Sequence, residues 1–300
     1  MELRLGVNTC FAVKRWPRVA DWGPIVRDRV GLRLVEHSFD LVDPEVDQAR
    51  AVGAAVTSLG LELRSTFTGL AAYSSNLLLH PDSAARAAAE RWFEEAIAWT
   101  AAAGAVATGG HVGAFSVADW ADPRARTARW TGLREALDRL RRTARTAGLD
   151  HLLVENLAAA REPSTMAMIE DLVDAGDADR VPLALCLDVG HMCVPGTSGD
   201  ERNPYAWLRR MGRHATEVQL QQSDATGDHH WPFTRARNAD GRIHADRLID
   251  ALGEGGVTTM ALILEVIPAF EQPDDEVLDD LAASADYWRE ALDRRGVLAP

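Results

Sequence analysis

Eight short β-rich runs alternate without a break with longer segments of helical character along this 300-residue chain. The first four begin at Leu3-Arg-Leu-Gly-Val-Asn, Leu32-Arg-Leu-Val-Glu-His, Leu61-Glu-Leu-Arg-Ser-Thr-Phe and Ala105-Val-Ala-Thr-Gly-Gly-His. The last four are His151-Leu-Leu-Val-Glu-Asn, Leu185-Cys-Leu-Asp-Val-Gly-His, Val218-Gln-Leu-Gln-Gln-Ser-Asp and Leu262-Ile-Leu-Glu-Val. Runs as apolar as Leu-Ile-Leu-Glu read as strands buried on both faces, the condition of a parallel sheet covered by helices. Eight such units close a (β/α)8 barrel, the TIM-barrel class of α/β fold, and roughly 250 residues suffice for one. The expectation is a single barrel domain over residues 1–300. An open doubly wound sheet is the competing architecture, but it usually carries a Gly-rich phosphate loop after its first strand. Here that place holds Asn8-Thr-Cys-Phe-Ala-Val-Lys.

The intervening segments support the alternation. Asp82 to Ala103 is Ala-rich, with Trp92, Phe93, Ile97 and Trp99 at three- and four-residue spacings, and Arg126 to Ala147 carries Leu133, Leu137 and Leu140 on one stripe. Gly60, Gly104 and Gly148 each follow such a segment just before the next strand, where a helix ends in a left-handed residue. The longest strand-to-helix connections are 68–80, 109–123 and above all 223–242, and catalytic loops belong there.

The last four strands end in Glu155, Asp188, Gln221 and Glu265. A carboxylate at the carboxyl end of a buried strand is costly to desolvate unless a cation or a proton meets it. The carboxyl ends of barrel strands converge on one mouth, so three carboxylates and an amide oxygen there point to one divalent ion. Gln219 and Gln221 both face inward if either does, because strand side chains alternate. Gln221, nearer the carboxyl end, is the favoured ligand and Gln219 a substrate contact. Glu36 and His37 share the second strand, so one of them faces the pocket.

Bulk properties narrow the partners. With 45 acidic against 32 basic residues, the formal charge of -13 makes nucleic acid a poor partner. No stretch approaches the ~20 consecutive apolar residues of a membrane span. The chain enters a strand at once, without a basic region followed by an apolar one and a cleavage site, so residence in the cytoplasm is expected. Cys10, Cys186 and Cys193 are odd in number and lie at or just beyond strands, which favours reduced, buried thiols.

Val154-Glu-Asn, Leu187-Asp-Val-Gly-His with its Asp188 and His191, and Leu264-Glu-Val together resemble the xylose-isomerase-like barrel superfamily, which includes sugar epimerases such as D-tagatose 3-epimerase and, more remotely, AP endonucleases. The resemblance covers the whole chain. It implies metal ligation by Glu155, Asp188, a seventh-strand residue and Glu265, with His191 on a substrate oxygen. Relatives usually place His on the seventh strand, where this sequence has Gln. A neutral oxygen ligand makes the site harder and tilts it toward Mn²⁺, with Mg²⁺ or Co²⁺ as the other candidates over Zn²⁺. Phe11-Ala-Val-Lys-Arg-Trp, Ser65-Thr-Phe-Thr-Gly-Leu-Ala-Ala-Tyr-Ser and His230-Trp-Pro-Phe look like the branch of tetrulose-phosphate epimerases or racemases.

The chemistry implied is proton transfer at carbon next to a ketose carbonyl through a metal-stabilised cis-enediolate, with Glu155 and Glu265 exchanging protons on opposite faces and His191 donating to the developing oxyanion. His111, His230 and Trp231 are candidate substrate contacts, and Lys14, beside Arg15, is a candidate anion ligand. The substrate expected is a small carbohydrate. The same barrel hosts C-glycoside deglycosidase subunits, which would need a small partner chain, and sugar-acid decarboxylases. Related barrels often form dimers or tetramers.

Overall fold

The computed structural model of the protein describes residues 1–38 and 46–299. Its eight strands are β1 (Glu2–Asn8), β2 (Leu34–Ser38), β3 (Glu62–Phe67), β4 (Ala107–Gly110), β5 (His151–Glu155), β6 (Leu183–Asp188), β7 (Ala215–Leu220) and β8 (Thr259–Leu264). They pair in sequence order into a closed barrel, and β1 meets β8 in parallel from Glu2↔Thr259 to Val7↔Leu264. Each run expected to be a strand contributes one. Register shifts between Val35 and Glu36 against β3, and between Leu185 and Cys186 against β7, adjust the direction of side chains near the mouth.

The helices among the described residues are α1 (Val19–Pro24), α2 (Val46–Ser58), α3 (Ser83–Ala103), α4 (Val117–Ala121), α5 (Pro123–Ala147), α6 (Met166–Leu172), α7 (Pro204–Met211), α8 (Arg235–Asp240), α9 (Ala245–Glu254) and α10 (Asp274–Arg294). Asp82 caps α3 by accepting from Ala84 N–H, and Gly104 ends it at φ 82°. α5 starts ahead of the expected Arg126, because Asp122 caps it and Pro123 occupies the first helical position, where its missing N–H costs nothing. No helix among the described residues is long and apolar enough to cross a membrane.

The main apolar core lies between sheet and helices and includes the fully buried Trp22, Trp99, Trp207 and Trp288. His37 belongs to this outer layer, stacked between Trp22 (6.1 Å) and Trp99 (5.6 Å), and burial lowers its pKa to about 4. The inward-facing member of the β2 pair is therefore Glu36. All three cysteines are free and buried.

Inside the barrel the filling is polar. Glu36 accepts hydrogen bonds from Asn8 (2.7 Å) and Gln219 (2.9 Å), while Ser65 donates to Glu217 at 2.9 Å. Burial, with the negative charge of Glu217 beside it, raises the Glu36 carboxyl well above the usual carboxylate range. Gln219 is thus committed one layer below the mouth, which corrects the expectation that it contacts substrate. Strand alternation sets the side on which a residue points, but the layer it occupies depends on how far along the axis it sits.

Candidate metal and substrate site

Glu155 and Asp188 are the last residues of β5 and β6, and Gln221 and Glu265 follow β7 and β8 directly. All four are at most 2% exposed. The barrel brings ligand atoms of Glu155, Asp188 and His191 within 4.8 Å of one another, and does the same for Asp188, His230 and Glu265. Asp188 is common to both groups. Burial first, then the charges of Asp188 and Glu155, push the Glu265 carboxyl up. Burial likewise pushes Glu155 up against the opposing pull of His191.

Gln221, the expected seventh-strand ligand, has its amide among the site carboxylates. Its Oε1 accepts the backbone N–H of His230 at 2.6 Å, while Nε2 donates to Asp188 (3.1 Å to each oxygen) and to Asp228 (2.7 Å). The His230 N–H is a fixed donor, so it dictates which end of the amide faces the carboxylates. Gly190 makes room for this amide, since a Cβ there would stand 2.2 Å from Gln221 Cδ. The imidazole at this corner comes instead from His230, in the loop beyond β7, at φ 48°.

Asp228 ties the two site histidines together. Its carboxylate lies 3.2 Å from His191 Nε2 and 3.1 Å from His230 Nε2. His191 Nδ1 donates to the carbonyl of Asn156 at 2.7 Å, so both ring nitrogens face acceptors. Burial alone would lower the pKa of His191, but Asp188, Asp228 and Glu155 outweigh it and raise the pKa well above 6.5. Asp228 is held ionised in return, because the two imidazoles more than offset its burial.

A second polar group borders the mouth. His111 lies 3.4 Å from Glu162, which also accepts from the hydroxyl of Tyr73 and from Ala159 N–H (3.1 Å). Tyr73 packs edge-on against His111 and is 65% exposed, at φ 61°. Asp228, Glu162 and Tyr73 went unread in the sequence because they lie on loops, where no periodicity marks them. The pairing of Asp228 with His230, two residues apart after an apolar strand, was the available signal.

Two expected contacts take other places. Trp231 stacks on His229 at 4.0 Å and carries Arg237 at 4.2 Å over its ring, so both faces of the indole are covered. It stiffens the loop and, with His230, Val266 and Ile267, lines a cavity there. Lys14 is exposed on the rim, 5.9 Å above the ring of Phe270, while its neighbour Arg15 is bound to Asp274 and to the carbonyls of Ala269 (2.8 Å) and Phe270 (3.1 Å).

The donor set suits a divalent cation. Glu265 Oε2 is buried without a hydrogen-bond partner, and carboxylate oxygens with one imidazole fit Mn²⁺, Mg²⁺ or Co²⁺.

Comparison with known proteins agrees with this architecture. Residues 28–294 match the family model described as xylose isomerase-like TIM barrel. A D-erythrulose 1-phosphate 3-epimerase of Brucella abortus (strain 2308) is 27% identical over 304 residues, spanning 98% of this chain and 97% of that protein. A crystal structure from Rhodospirillum rubrum, provisionally designated a xylose isomerase, has a TM-score of 0.87 and 31% identity over 99% of this chain and 100% of its own. D-psicose 3-epimerase of Clostridium cellulolyticum H10, solved with D-tagatose, shares the fold at a TM-score of 0.67 and 15% identity, over 96% and 99% of the two chains.

Proposed function

The chain belongs to the xylose isomerase-like TIM barrel family, and from that premise we propose that it is a metal-dependent sugar epimerase or isomerase acting on a ketose or ketose phosphate, with a tetrulose phosphate as the first candidate. The observation that carries this reading is the pair Glu155 and Glu265, buried on strands three places apart around the barrel, with Asp188 between them. The full-length likeness to a D-erythrulose 1-phosphate 3-epimerase supports the choice of substrate class.

In this mechanism Glu155, Asp188, Glu265 and His230 would hold the ion, with His230 standing where the sequence suggested Gln221. Its Nε2 faces Asp228, which leaves Nδ1 toward Glu265 at 3.6 Å. The bound ion would supply the positive charge that lowers the cost of an oxyanion beside the reacting carbon. One glutamate takes the proton from carbon next to the carbonyl, and the other, protonated, returns a proton to the opposite face. His191 donates to the developing oxyanion once substrate competes with Asp228 for Nε2. Lys14 on the rim meets the phosphate of a phosphorylated substrate.

The test is solvent-deuterium incorporation during turnover of D- and L-erythrulose and their 1-phosphates. Glu155→Gln and Glu265→Gln are each expected to lower exchange by at least ~10²-fold, the range of a lost general acid or base. Lys14→Gln should raise KM for the phosphate esters only. Wild-type rates of exchange in both glutamine variants would remove the two-glutamate mechanism.

A further inference from the structure

Two arginines join the segment that carries His191 to the loop that carries Asp228 and His230. Arg202 ends the turn Gly199–Arg202, and its terminal nitrogens donate to the carbonyls of Cys193 (3.4 Å) and Val194 (3.1 Å) on one side and of Ala225 on the other. Arg242 donates to the carbonyls of Met192 (3.0 Å) and Arg202 (2.9 Å). We propose that Arg202 and Arg242 are positioning residues for catalysis, which hold the segment after β6 against the loop after β7 and so keep His191 and Asp228 in register; their effect on turnover rests on the epimerase reading above.

Met192, Cys193 and Val194 follow His191 directly and are buried, and Ala225 precedes Asp228 in the facing loop. Arg242 is itself fixed through its backbone, since its N–H donates to the Ser223 carbonyl at 2.9 Å and its carbonyl accepts from the Tyr205 hydroxyl at 2.6 Å. Every anchor of the two guanidiniums named above is a carbonyl oxygen, and neither has a carboxylate ion-pair partner among the described residues. Arg242 Nε is buried without a hydrogen-bond partner. Two half-buried guanidiniums so placed repel each other and lose hydration, which costs stability, and the charge of Asp224 in the same loop opposes that repulsion.

The planar fork accounts for the residue type. One guanidinium reaches carbonyls on two segments at once, whereas an ammonium gathers its donors on a single nitrogen. The contact being braced is the 3.2 Å approach of Asp228 to His191 Nε2, on a ring whose Nδ1 is already committed to the Asn156 carbonyl at 2.7 Å. Slack between the two segments would carry Nε2 away from Asp228 and from an incoming substrate oxygen, and a misplacement of ~1 Å costs on the order of 10²-fold in rate.

The test is a double-mutant cycle on solvent-deuterium incorporation into the erythrulose 1-phosphates, pairing Arg242→Met with Asp228→Asn and then Arg202→Met with Asp228→Asn. Each arginine change is expected to lower kcat by ~10²-fold with KM little moved, and to add little once Asp228 has been replaced, because groups that act as a unit are not additive. Arg242→Lys keeps the charge without the fork and should behave as Arg242→Met does. In the full-length protein with Mg²⁺ present, the Nδ1–H resonance of His191, assigned by NMR with His191→Asn, should exchange with water faster in Arg242→Met than in the wild type. That readout needs no turnover, so a wild type without deuterium incorporation ends the epimerase reading and leaves the NMR comparison to decide this one. Arg242→Lys and Arg202→Gln serve for the same comparisons if the Met variants fail to fold. Losses that multiply in the double variants, a change in KM alone, or wild-type exchange of the His191 proton overturns the proposal.

Discussion

Asp228 places a negative charge between two imidazoles and an amide, and three separate donors converge on it. In metal sites, a carboxylate behind a ligating histidine fixes the ring's tautomer and direction, and its removal typically costs 10–100-fold in affinity or activity. Asp228→Asn preserves the volume but removes the charge and sets an NH2 group against one of the three donors, since one carboxylate oxygen serves both rings and the other serves Gln221. It is expected to lower kcat by about that 10–100-fold factor and to weaken Mn²⁺ binding, while leaving the fold intact by circular dichroism. Unchanged kinetics would mean that His191 and His230 hold their positions without it. At this scale Glu155, Asp188 and Glu265 were legible in the sequence, since a carboxylate ending an apolar run has few inexpensive places to go. Gln219 and Gln221 were less so. Both face inward as alternation requires, yet Glu36, 183 positions away, claims one, and the N–H of His230, across a loop, orients the other.

The segment joining β7 to α9 shows how an element can be built to carry a site residue. Gln222 and Trp231 pair in both directions through backbone hydrogen bonds (2.8 and 3.1 Å), closing the loop into a short antiparallel ladder. Just beyond, Phe233 is buried against Trp288 (5.2 Å between centroids) and Tyr287 (5.6 Å), and its N–H donates to Ser284 Oγ at 2.8 Å. His230 is therefore suspended between β7 and α10. Phe233→Ala should destabilise the protein by ~3–5 kcal/mol, the usual cost of emptying a buried phenyl site. It should also loosen Mn²⁺ binding, measured calorimetrically. Lost stability with unaltered metal affinity would show that the ladder alone positions His230. The sequence marked this connection as a polar and aromatic loop, but α8 within it and the anchor on α10 depend on partners some fifty positions away, out of reach of any local pattern.

Over the whole molecule, the β/α alternation was legible from end to end because each parallel strand must be covered and each amphipathic helix must cover something. What no period discloses is the polar axis within the barrel, from Glu217 through Ser65 and Glu36 to Asn8. At its upper end, three buried carboxylates lie near one another, an arrangement that a cation relieves. Chelation with EDTA should lower Tm and added Mn²⁺ restore it, with a gain of ~2.7 kcal/mol at a hundredfold excess over Kd. Identical melting in both conditions would speak against an ion at the mouth.

The seam of the cylinder joins its first and last strands. β1 pairs with β8, and Leu3 also exchanges backbone hydrogen bonds with Val297 and Ala299 (2.8 Å each). During translation at ~5–20 residues per second, β1 would wait on the order of 13–50 s for β8 to be made. Throughout that interval a nascent strand with an open edge must be kept from pairing with a neighbouring ribosome's product. Synthesis of this protein thus carries a window of vulnerability to aggregation that shuts only when β8 emerges.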